Sequence, residues 1–118
     1  MKLKIYTFAL GLMAINLSAQ VKDTLAEKMM VYQLPNGGWG KHTSDKQNVD
    51  YTKKIDPKLL KIIKATDNDF ATIDNNATSR EINGLIKAYQ LTKNAAYLKS
   101  AEKGIEYLLS MQYENGGF

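Results

Sequence analysis

Gln33-Leu34-Pro35-Asn36-Gly37-Gly38-Trp39 returns as Gln112-Tyr113-Glu114-Asn115-Gly116-Gly117-Phe118, so Gln-x-x-Asn-Gly-Gly-aromatic occurs twice at identical spacing. Each copy follows an apolar pattern of helical period and closes it. Glycines stop the last turn by supplying backbone conformations that other residues resist, and the chain then reverses. The aromatic ring either packs back on the hairpin or lines a groove. Repeated helix stops predict an all-α fold of stacked hairpins, an (α/α) toroid whose end loops build the active site. Because the chain ends on the aromatic of the second copy, the toroid is expected to be incomplete here.

The helices between these stops are legible from period and caps. Val21, Leu25, Met29 and Tyr32 recur at helical spacing, with Asp23 and Glu27 off that row, and predict an amphipathic helix over 21–34. Asp56-Pro57 opens a second helix with Leu59, Leu60, Ile62 and Ile63 as its apolar face, since proline is harmless at the first helical position. Thr78-Ser79-Arg80-Glu81 has the form of a capping box and starts a third, with Ile82, Leu85, Ile86 and Tyr89 facing inward. Asn94 caps a fourth, whose Tyr97, Leu98, Ala101, Ile105, Leu108 and Leu109 share a face. Between the second and third helices, 67–77 is dense in residues that bond locally and reads as a structured loop.

Met1-Lys2-Leu3-Lys4, the apolar run from Ile5 to Ile15 and the small Ala19 have the form of a secretory signal peptide over 1–19, leaving a mature domain over 20–118. The run is shorter than the roughly 20 residues a spanning helix needs, so no membrane association is expected after cleavage. Losing Lys2 and Lys4 lowers the formal net charge from +4 to +2. The remaining lysines are scattered without interleaved stacking aromatics, which argues against a nucleic-acid surface and leaves a soluble polyanion as a partner. With no cysteine, packing alone must stabilise the fold.

Tyr32 to Lys41, Asp50-Tyr51-Thr52-Lys53, Ala71-Thr72-Ile73-Asp74-Asn75-Asn76-Ala77-Thr78 with Glu81-Ile82, and Gln112 to Phe118 together resemble the pectate lyases of polysaccharide lyase family ten. The Thr-Ile-Asp-Asn-x-Ala-Thr block ahead of a helix is the specific part. Gly40 departs from the pattern, which has proline after the tryptophan, and would loosen that loop. The resemblance implies the N-terminal part of an (α/α)-toroid catalytic domain from a secreted, monomeric enzyme. Such an enzyme cleaves polygalacturonate by calcium-assisted β-elimination and yields 4,5-unsaturated oligogalacturonides. It also implies that Asp74 holds Ca2+, that Asn75 contacts the sugar, and that the base is an arginine beyond Phe118. This chain would then be inactive by itself.

Trp39 can stack on a sugar ring or pack over the hairpin end, and Lys41 can meet a uronate carboxylate. Asp74 has a simpler alternative, satisfying backbone N–H groups ahead of the helix. Arg80, the sole arginine, lies outside the family's catalytic motif and reads as a surface residue; His42, the sole histidine, has no partner histidine and reads as a loop residue. Asp67-Asn68-Asp69 is not a calcium loop of the helix-loop-helix kind, because Thr72 and Thr78 stand where glycine and glutamate are needed. Two other readings are a noncatalytic carbohydrate-binding remnant and a different α/α toroid such as a terpene cyclase-like scaffold. The second is disfavoured by the lack of an Asp-x-Asp-Asp run.

Overall fold

A computed structural model describes residues 21–112. Residues 1–19, expected to be a signal peptide, and all of the second repeat copy except Gln112 lie outside the described residues. Those described form an all-α fold: α1 Thr24–Tyr32, α2 Pro57–Lys64, α3 Ser79–Thr92 and α4 Ala95–Met111, with 3-10 turns at Asn68–Phe70 and Asp74–Asn76. They contain no β-strand, only isolated bridges of Gly40 with Ala71 and His42 with Asn48. No described helix is long and apolar enough to cross a membrane.

The caps act where the residue types place them. Asp23, Asp56 and Asn94 accept from Ala26, Leu59 and Ala96 N–H respectively, and at the start of α3 the Glu81 side chain reaches back to accept from Thr78 N–H. Lys93, in the left-handed region at φ 58°, ends α3 and turns the chain into α4. This α3–α4 hairpin carries α1 across it, with Ala26, Met29, Tyr32, Trp39, Ile82, Leu85, Ala88, Tyr97 and Ala101 in one core.

Two helix faces differ from expectation. Val21 and Leu25 are exposed, and α1 buries Ala26, Met29 and Tyr32 instead, because capping at Asp23 leaves Val21 outside the helix. On α4, Ile105 and Leu109 are exposed while Ser100, Gly104 and Tyr107 are buried with Tyr97 and Ala101. Close approach explains the rotation: a Cβ on Gly104 would stand 2.7 Å from Ile82 Cγ1 and 2.8 Å from Trp39 Cζ3, so the small face of α4 turns inward.

The first repeat copy proves to be a docking device. Gln33 Nε2 donates to Gly37 O and to Ser100 O, both at 2.9 Å, and Ser100 Oγ donates back to Gln33 Oε1 at 2.6 Å. Gly37, at φ 93°, approaches α4 so closely that a Cβ would lie 2.3 Å from Lys103 O. The motif therefore ends α1 and fastens the turn to α4 in the same seven residues.

Candidate active site

Trp39 is fully buried, with its indole Nε1 donating to Met29 O at 2.7 Å. This corrects its assignment as a sugar-stacking residue: it packs at the end of the hairpin and has no exposed face for a ligand. Its backbone holds two segments together, since Trp39 N donates to Thr78 Oγ1 at 2.9 Å and Trp39 O accepts from Thr72 N at 3.0 Å.

That pairing sets Lys41 beside the Thr72–Thr78 block. Gly40 does not loosen the loop. It bridges to Ala71, and a Cβ there would fall 2.7 Å from Phe70 O, so the close pairing requires glycine. Lys41 is pinned on its other side by the His42–Asn48 bridge and by Val49 N, which donates to Lys41 O at 2.8 Å.

The block itself is tightly bent. Asn75 and Asn76 have φ of 51° and 65°, which asparagine tolerates, but Thr78 at φ 73° is a β-branched residue in a region it normally avoids. Surrounding bonds hold it there: Thr78 N donates to Glu81 Oε1 at 2.8 Å, its hydroxyl donates to Thr72 O at 2.9 Å, and Thr78 O accepts from Ile82 N. Strain maintained in this way concentrates at functional sites.

The bend presents Asp74 to Lys41, whose Nζ lies 2.7 Å from Asp74 Oδ2; Asp74 Oδ1 accepts from Asn75 N at 3.1 Å. The Lys41 hydrogen bond, followed by its charge, holds the Asp74 carboxyl below the usual aspartate value. Lys41, His42, Asn48, Asn75 and Arg80 line an open depression of about 320 Å³. A second, of about 330 Å³, shares Asn75 and Arg80 with it and adds Asn76, Ser79 and Asn83. Three of the four residues expected at the site, Lys41, Asp74 and Asn75, are thus neighbours.

Asp74 offers the hard oxygen that calcium prefers, and its side chain is 64% exposed. No group of three or more His, Cys, Asp or Glu side chains able to hold a metal occurs among the described residues. Calcium takes about 6–8 oxygens, so the donor set fits one ligand position rather than a protein-built cage.

Sequence reasoning missed the cluster behind this surface. Glu81 has 0% exposure, and its Oε2 accepts from Tyr51 Oη at 2.7 Å and from Arg80 Nε and Nη2 at 2.9 and 2.7 Å. The guanidinium carbon lies 5.7 Å from the Tyr51 ring centroid, and Tyr51 meets Tyr32 edge to face. Arg80 is therefore the counter-charge of a buried acid as well as a half-exposed surface residue. The capping-box glutamate was the available signal, since its second oxygen needed a donor.

Comparison with known proteins bears on what this surface handles. A family model described as pectic acid lyase matches residues 33–118, well over half of the chain. No curated protein and no solved structure gives a significant match.

Proposed function

Because this chain belongs to the pectic acid lyase family, we propose that it serves a pectate lyase of polysaccharide lyase family ten, which cleaves polygalacturonate by calcium-assisted β-elimination to 4,5-unsaturated oligogalacturonides. The observation that carries this reading, beside the family match, is that Lys41 and Asn75 line one open polar depression and Lys41 is paired there with the exposed Asp74 carboxylate. Export as a monomer and the (α/α) toroid belong to the same proposal. The α3–α4 hairpin and the exposed apolar Ile105 and Leu109 of α4 support the toroid.

Elimination removes the C5 proton and expels the C4 oxygen, so negative charge builds toward the C6 carboxylate. Calcium, if held by Asp74, would supply Lewis-acid stabilisation of this charge. Asp74 is the residue that would hold it, with Lys41 restraining one carboxylate oxygen and Asn75 N–H the other. Asn75, fixed in a left-handed turn, offers its amide to sugar hydroxyls. None of these residues is assigned the proton abstraction.

The test uses the protein at its full natural length on polygalacturonate, following ultraviolet absorbance of the unsaturated product with calcium and with a chelator. Product formation that stops on chelation is expected. Formation that survives the chelator would remove calcium from the reading, and no formation in calcium would overturn the lyase assignment.

A further inference from the structure

We propose that Arg80 is a specificity-determining residue of this site: its guanidinium, fixed from behind by buried Glu81 and Tyr51, receives an unesterified uronate carboxylate on its exposed edge. The inference rests on the polyuronate reading above and assigns to that surface a residue outside the Thr72–Thr78 block.

The geometry separates two edges of one side chain. A buried carboxylate is costly without a counter-charge, and Arg80 provides one to Glu81 through Nε and Nη2. Of the five N–H donors of a guanidinium, two are used there. The other three belong to Nη1 and the second Nη2 hydrogen, on a side chain that is 45% exposed and lines both depressions.

Tyr51 makes the arrangement rigid. Its ring lies under the guanidinium and its hydroxyl donates to the same Glu81 oxygen. Burial, reinforced by the neighbouring Glu81 charge, raises the Tyr51 pKa and keeps that hydroxyl a donor. An arginine already held in one geometry loses little side-chain freedom when it meets a ligand.

Position adds the ligand. Arg80 and Asn75 belong to both depressions, so a linear polymer crossing from one to the other passes Arg80. A carboxylate offers two charged oxygens that can pair with the guanidinium fork bidentately, whereas its methyl ester offers one neutral carbonyl, so the acid form gains more there.

Titration calorimetry with an oligogalacturonate and its fully methyl-esterified counterpart tests the proposal on wild type, Arg80→Ala and Arg80→Lys. Wild type should prefer the acid form. Arg80→Ala should weaken acid binding on the order of tenfold, the scale of one charge-assisted contact, and weaken ester binding much less. Arg80→Lys keeps a cation near Glu81 but loses the planar fork, and should fall between; it decides the matter if Arg80→Ala fails to fold. Equal loss for both ligands, or unaltered acid binding in the folded variants, would overturn the role of Arg80 alone. Failure of wild type to bind the acid form would overturn the polyuronate reading and this inference with it.

Discussion

At Asp74 the two oxygens have different partners, Asn75 N–H on one and the Lys41 ammonium on the other. Its folded pKa lies below the ordinary 3.8, so the pairing persists above that value and is lost as pH falls through the lower folded value. A carbon-13 titration of the Asp74 carboxyl should give a midpoint below 3.8, and Lys41→Met should move it upward; an unmoved midpoint would show that the pair does not form in solution. Asp74→Asn separates the two readings of this residue. A neutral amide keeps an acceptor for Asn75 N–H but should lose calcium affinity sharply if the carboxylate is a ligand, as calorimetry with calcium would record. Unchanged affinity would leave Asp74 as a turn residue. Asp74 and Asn75 could be singled out from the sequence because their block is contiguous. The Lys41 contact spans 33 positions and depends on Trp39–Thr72 pairing, which no local pattern reveals.

Among the elements, the ends of the helices were more legible than their faces. A cap bonds within three residues, so Asp56 and Asn94 work through local chemistry that a sequence carries directly, whereas at α1 the apolar period from Val21 runs through Asp23 and hides its cap. Which side of α4 turns inward depends instead on Trp39 and Ile82, which come from other parts of the chain. Gly104→Ala puts the rule to work: alanine suits a helix intrinsically, yet its methyl would enter space already filled by those two side chains. The variant should lose about 1–3 kcal/mol by urea unfolding, the usual cost of overpacking. A gain in stability would mean that α4 can shift away. Amide exchange should also be slower in 79–111 than in 41–50. The helices carry continuous backbone ladders on a packed face, whereas the loop relies on isolated bonds such as Thr43 N to Gln47 O and Val49 N to Lys41 O.

Across the whole described fold, Trp39 is where the separate parts meet. Its ring approaches Gly104 on α4, its indole N–H satisfies Met29 O near the end of α1, and its backbone bonds Thr72 and Thr78 ahead of α3. The surface bearing Lys41 and Asp74 therefore depends on a residue that does not line it. Trp39→Phe should keep an aromatic core but leave a cavity and remove the donor to Met29 O, costing roughly 2–4 kcal/mol by circular-dichroism-monitored urea unfolding. As the chain's one tryptophan, Trp39 also reports directly on its own exposure. Its emission should be blue-shifted and weakly quenched by acrylamide, because the side chain has no solvent-accessible area. Adding polygalacturonate should leave the quenching constant unchanged if binding occurs on the outer face at Lys41, Asn75 and Arg80. Strong quenching in the free protein, suppressed by the polymer, would instead place Trp39 against the sugar and require the turn from Gln33 to Lys41 to open away from α4.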